Sequence, residues 1–211
     1  MIATVLLSLG GALCVTPATA SPADSLREFY QQGSTWNQFY GAVVRRASAW
    51  RKNYGYGMVD EETLTRARNL SGTWRVLAVT VDGCSDSVNT IPYLASLVDS
   101  AGGTIELRII DPKQGRGLME GHRTRDGRAA TPTLILLDEN WNEVGCWVER
   151  PSELARWGEL ERAKLSDGEF VRQKTAWYDQ DHGRSTVREV LDMIEKSAPG
   201  APCGGNGEGG A

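Results

Sequence analysis

The sequence predicts an α/β fold: a mixed four-stranded sheet with flanking helices, extended by further helices at both ends. Three observations carry this. Apolar, β-branched runs at residues 74–81 and 104–110 are separated by a helical stretch, so they read as a βαβ unit with parallel strands. Two further runs, at 133–137 and 144–148, are joined only by a short turn through Asp138-Glu139-Asn140, a link that suits an antiparallel pair. Helical periodicity flanks this block on both sides.

The elements follow in order. Ser34 is a candidate N-cap, and Trp36, Phe39, Tyr40, Val43, Val44, Ala47 and Trp50 recur at helical spacing, which predicts one amphipathic helix. Tyr54-Gly55-Tyr56-Gly57 ends it. Asp60 opens a shorter helix reaching Leu70, with Leu64 and Ala67 inward. After the first strand, Asp82-Gly83-Cys84-Ser85 is a turn entering a helix to about Asp99, which Ala101-Gly102-Gly103 closes. A short helix around Leu118 and a polar Arg/Gly loop precede the third strand. Pro151-Ser152-Glu153 opens a helix through Leu165, and helical segments at 170–178 and 186–196 finish the folded part.

Composition narrows the function classes. The chain has 211 residues, 40% hydrophobic and 24% charged, so it can bury a normal core without metal or disulfide staples. A formal net charge of -4 argues against nucleic-acid binding, which requires surplus Lys and Arg. No two of the four cysteines have C-x-x-C spacing, so structural zinc sites are excluded and no metal is expected. Residues 1–20 read as a signal peptide: residues 2–15 are almost wholly apolar, and Ala18-Thr19-Ala20 before Ser21 is a cleavage pattern. No Lys or Arg precedes the apolar run, so a cytoplasmic location stays open beside a periplasmic or secreted one. The run is short for a bilayer, and no stable membrane insertion is expected after cleavage. The organisation is then 1–20 signal peptide, 21–70 N-terminal helical extension, 71–165 sheet domain, 166–197 C-terminal helices and 198–211 a Pro/Gly/Ala-rich tail.

Cleavage would leave Cys84, Cys146 and Cys203. Cys84 stands where a buried strand passes into a helix, and a helix start favours the thiolate, the nucleophilic form of cysteine. Its neighbours Asp82, Gly83, Ser85 and Asp86 are small or polar, which opposes burial. Cys146, inside the fourth strand, reads as structural. Cys203 sits in the tail and is a candidate resolving thiol, though an incidental terminal cysteine is the simpler explanation. Arg116, His122, Arg123, Arg125 and Arg128 crowd the approach to Pro132, where Asp111, Glu120 and Asp126 balance them, so the segment reads as a solvated loop.

Pro92 lies eight residues after Cys84, and Pro132 stands immediately before the third strand. With Val79-Thr80-Val81-Asp82-Gly83-Cys84-Ser85-Asp86-Ser87, Thr90-Ile91-Pro92 and Ala130-Thr131-Pro132-Thr133, the chain resembles the thioredoxin superfamily over about residues 70–165. It is more closely similar to a bacterial single-cysteine subgroup carrying a Cys-x-Asp-Ser motif and a later Trp-x-x-Arg-Pro element. Here these are Cys84-Ser85-Asp86-Ser87 and Trp147-Val148-Glu149-Arg150-Pro151, with Gly83 in place of the usual preceding tryptophan.

The resemblance implies a thiol–disulfide oxidoreductase of monothiol type working through mixed disulfides. Cys84 would be the nucleophile and Ser87 a hydrogen-bond donor to its sulfur. Pro132 would be cis, with the Thr131 backbone open to a substrate strand. Arg150 is a candidate substrate contact near Cys84, or equally one half of a surface ion pair with a carboxylate. Two departures count against a general dithiol reductase. Ser87 replaces the resolving cysteine, and Ala78 stands where thioredoxins bury an acid. Asp86 would oppose thiolate formation or simply favour the helix start. No bound cofactor is implied; glutathione or a similar low-molecular-weight thiol would serve as co-substrate. Protein or small-molecule thiols and disulfides would be the partners. The alternative is a non-catalytic module that uses the Pro132 groove to bind peptides.

Overall fold

The computed structural model describes residues 21–57 and 59–197; the expected signal peptide and tail, with Cys203, lie outside them. Four strands form one mixed sheet: β1 (Trp74–Val79), β2 (Ile105–Ile110), β3 (Thr133–Leu137) and β4 (Glu143–Val148), in the order β2-β1-β3-β4. β1 runs parallel to β2 and antiparallel to β3, and β3 runs antiparallel to β4. The sheet and its flanking helices are as expected.

Alternation along the strands builds two cores. Val76, Ala78, Leu134, Leu136 and Trp147 face one layer, which is completed by helices α3 (Ala47–Tyr56), α5 (Ile91–Ser100) and α9 (Arg184–Glu195). The amphipathic α9 buries Val187, Val190, Leu191 and Ile194 there. Leu77, Val79, Ile135, Leu137 and Cys146 face the other layer, where Leu26 and Tyr30 of α1 (Pro22–Gln32) pack. The free edge of β2 is met by Ser34, which exchanges two backbone hydrogen bonds with Ile109.

The predicted helix from Ser34 to Trp50 is instead two. α2 (Trp36–Gly41) is capped by Thr35, not Ser34, through a reciprocal box with Gln38. The chain then breaks, and α3 starts after Arg46, which adopts a left-handed conformation with φ 55°. The cause is tertiary. The Asp82 carboxylate accepts the backbone N–H groups of Val44 and Arg45 at 3.0 and 2.7 Å, diverting amides that a continuous helix would have used internally. Trp36, Phe39, Tyr40, Trp50 and Tyr54 still converge, as one aromatic cluster rather than one stripe.

α4 (Glu61–Arg68) follows its predicted Asp60 cap, and α6 (Arg116–Gly121) falls where expected; α7 (Ser152–Glu161) opens where expected but ends at Glu161, short of Leu165. α1 is additional. Ser21 and Asp24 form its capping box, with Pro22 at its first turn. At the other end, α8 (Asp167–Asp181) turns into α9 through His182 and Gly183. Gly183 has φ 76° and lies against Tyr93 of α5, where a Cβ would fall 2.1 Å from the ring. Only glycine satisfies both demands.

Candidate functional site

Cys84 lies in the turn between β1 and α5. A tight turn at Asp82-Gly83 brings the Cys84 N–H to the Val81 carbonyl at 3.1 Å. A single 3-10 turn at Ser87–Asn89 follows, and α5 begins only at Ile91. Cys84 therefore precedes a 3-10 turn rather than opening the long helix. Pro92 sits in the first turn of α5, where its missing N–H costs nothing.

The thiol is partly exposed and is the free cysteine among the described residues. It lies between two backbone groups. Cys84 Sγ donates to the Thr131 carbonyl at 3.2 Å and accepts from the Ser87 N–H at 3.4 Å. The sulfur is thus held from two sides, by one acceptor and one donor of the backbone. The Thr131–Pro132 peptide bond is cis. Pro132 passes its own carbonyl to the Glu149 N–H at 2.8 Å, which ties the start of β3 to the end of β4.

Ser87 contributes differently from expectation. Its hydroxyl is fully buried and has no hydrogen-bond partner, so the donor to sulfur is its backbone amide. Asp86 departs further. It neither caps a helix nor faces the thiol. It is buried, and its carboxylate accepts from Lys174 Nζ at 3.0 Å, Arg150 Nε at 3.2 Å and the Tyr178 hydroxyl at 2.9 Å. Arg150 thus sits on Asp86 and Glu149 with little exposure, and makes no hydrogen bond to Cys84. Burial works against the Arg150 charge, but Asp86 and Glu149 outweigh it and hold its pKa above the ordinary value. Burial and the Asp86 charge push the Tyr178 hydroxyl well up, so it stays a donor. Lys174 also reaches the Ser85 hydroxyl at 3.1 Å. Lys174 and Tyr178 both come from α8, and no motif marked them. The only sequence trace is a lysine and a tyrosine four apart, one helical turn.

The opposite wall comes from the N-terminal helices. Trp50 Nε1 donates to the Asp82 carbonyl at 2.9 Å, Asn53 Nδ2 to the Val88 carbonyl at 2.7 Å and Arg46 Nε to the Gly83 carbonyl at 2.8 Å. Gly83, where the related motif carries tryptophan, is covered by Arg45: a Cβ built there would lie 2.5 Å from the guanidinium carbon. The Asp82 carboxyl is held below its ordinary 3.8. Burial alone would raise it, and the Arg45 and Val44 amides with the Arg45 charge overcome that.

The basic segment before Pro132 lies apart from the thiol. Arg123, Arg125 and Arg128 line an open groove of about 680 Å³ together with Glu149, Arg150 and Phe170. Arg128 is clamped on Glu149 by two bonds of 3.0 and 2.9 Å. His122 pairs with Glu143 at 2.8 Å and with the Leu118 carbonyl. Cys146 is buried in β4 and disulfide-bonded. In the Trp-x-x-Arg-Pro element, buried Trp147 donates to Glu189 of α9 at 2.7 Å, and Glu189 also accepts from the Ser152 N–H at 2.8 Å.

A family model described as thioredoxin matches residues 33–164, more than half of the chain. Among solved structures, a protein of unknown function from Pseudomonas aeruginosa is 21% identical. It superposes with a TM-score of 0.64 over 84% of this chain and 98% of its own. A crystallised HIV epitope scaffold is also 21% identical, with a TM-score of 0.63 over 82% of this chain and 98% of its own. At this identity both show the fold alone. No curated protein matches the chain.

Proposed function

The chain belongs to the thioredoxin family, and from that premise we propose that it is a monothiol thiol–disulfide oxidoreductase of the single-cysteine subgroup, acting through Cys84. The observation that carries the reading is the position of the Cys84 sulfur. It is partly exposed, within reach of the Ser87 N–H, and beside the cis Thr131–Pro132 peptide.

The step balances simply. Cys84 loses its proton to water, giving up the bond to the Thr131 carbonyl. The thiolate attacks one sulfur of a disulfide, a new S–S bond forms and the old one breaks. The departing sulfur leaves with the electron pair and takes a proton from water. The Ser87 N–H stabilises the attacking sulfur, and the freed Thr131 carbonyl becomes an acceptor for a substrate strand. A second thiol, from a low-molecular-weight compound or a protein, then attacks the mixed disulfide and restores Cys84. Ser87 cannot perform that release. Arg150 enters as a positioning residue that holds Asp86 and so the loop. Export through residues 1–20 is part of this reading.

The test is mixed-disulfide formation. Reduced full-length protein is exposed to bis(2-hydroxyethyl) disulfide, and the adduct is located by peptide mass spectrometry. The expected result is an adduct on Cys84 that added glutathione discharges, and none at that position in Cys84→Ser. A Cys84 that stays unmodified in the folded protein yet reacts once denatured overturns the proposal. Peptide binding that survives Cys84→Ala would then identify a non-catalytic binding module.

A further inference from the structure

We infer that Arg45 and Arg46 form a cationic contact beside Cys84 that selects carboxylate-bearing thiols and disulfides as exchange partners. The inference rests on the monothiol reading above and names its substrate class.

Three observations converge on this. First, both arginines are exposed, and neither forms an ion pair among the described residues. Arg46 spends one N–H on the Gly83 carbonyl, and the Arg45 guanidinium lies over Gly83 with no hydrogen bond of its own among the described residues. Gly83 is the residue before Cys84, so one peptide unit separates these charges from the thiol. That places them within about 10 Å, close to the screening length at physiological salt.

Second, the remaining charges around the loop are already spoken for. Lys174 and Arg150 are buried on Asp86, and Arg128 is clamped on Glu149. Asp82 faces the two arginines from the loop itself and offsets one of them, while its carboxylate is occupied by the Val44 and Arg45 amides. The accessible charge beside the thiol is therefore positive, on a chain whose formal net charge is -4. The long-range field would favour a cationic partner, so a preference for anions has to arise locally.

Third, the arginines are placed by a device rather than left on a floppy turn. Arg46 holds a left-handed conformation that a non-glycine residue adopts at a cost; the Gly83 carbonyl accepts from its Nε, and the Asp82 carboxylate fixes the amides of Val44 and Arg45 just before it. Trp50, fully buried, fixes the Asp82 carbonyl from α3. Val44 stands 81% exposed on the same turn, so an apolar tip accompanies the two cations. A partner with a carboxylate a few bonds from its sulfur can pair with a guanidinium while that sulfur meets Cys84 in line.

Reagents of one reactive group and different charge test this. Full-length protein is treated with methyl methanethiosulfonate, its sulfonatoethyl analogue and its trimethylammonioethyl analogue, and Cys84 labelling is followed by peptide mass spectrometry. Each charged rate is divided by the neutral rate on the same protein, which cancels any general effect on the thiol. The anionic reagent should exceed the cationic one by about tenfold at low ionic strength, and the ratio should collapse at high salt. Arg45→Gln with Arg46→Gln should bring the ratio to within about twofold, and Arg45→Lys should keep most of it. If the double variant disturbs the turn, Arg45→Gln alone should still lower the ratio. A ratio near one in the wild type, or one unmoved by these variants, overturns the inference while labelling by the neutral reagent leaves the monothiol reading standing. A Cys84 that resists all three reagents in the folded protein overturns both.

Discussion

The Cys84 loop is held by two carboxylates four residues apart, and they are held in opposite ways. Asp82 stands near the surface and receives two backbone amides and the loose charge of Arg45. Asp86 is buried and receives a lysine, an arginine and a tyrosine hydroxyl. The first wall is exposed; the second is sealed and fixes the loop to the C-terminal helices. Two like residues on one turn thus hold the loop by different means, because burial decides whether a charge is available or spent.

The sharpest way to break this contrast is Asp86→Ala. It leaves Lys174 and Arg150 sharing a buried site without their carboxylate, which should cost about 3–5 kcal/mol in urea unfolding. A loss below about 1 kcal/mol would mean that water reaches the cluster and that the two walls are alike. Asp82→Ala should cost less, about 1–2 kcal/mol, with faster hydrogen exchange at the Val44 and Arg45 amides and little change in α8. The wild type should show the same effect with pH. Because the Asp82 pKa is lowered on folding, its contribution is complete above about pH 4 and fades as pH falls through the folded value. Asp82→Ala should flatten that part of the stability profile; an unchanged profile would remove Asp82 from the turn's support. The smallest effect is expected at Ser87→Ala. The hydroxyl has no partner, so stability should stay within about 0.5 kcal/mol and the Cys84 exchange rate within about twofold. A tenfold slower exchange at unchanged stability would return the hydroxyl to the sulfur.

Much of the fold was legible because it is local. Short apolar, β-branched runs mark the four strands, and Asp60 marks its helix. The short link between residues 137 and 143 announces an antiparallel pair. The site was legible where the family motif carries it: Cys84 and, 47 residues on, Thr131 before Pro132 stand together as the resemblance implies. It was illegible where distant segments meet. Nothing in the helical spacing of residues 36–50 reveals that Asp82 interrupts it. Nothing around Lys174 or Tyr178 reveals a carboxylate 88 and 92 residues earlier. Arg150 shows the same limit from the other side: the motif was visible, but not which acid its guanidinium would meet.

The Asp86 cluster also bears on where this protein can be cut. The matched family region ends at residue 164, yet two of the three groups that satisfy Asp86 lie beyond it, on α8. A fragment trimmed to that boundary would keep every strand and Cys84 while exposing a carboxylate meant for the interior. The recognisable domain and the cooperative unit therefore have different edges, and anyone dissecting the chain should carry it through Tyr178.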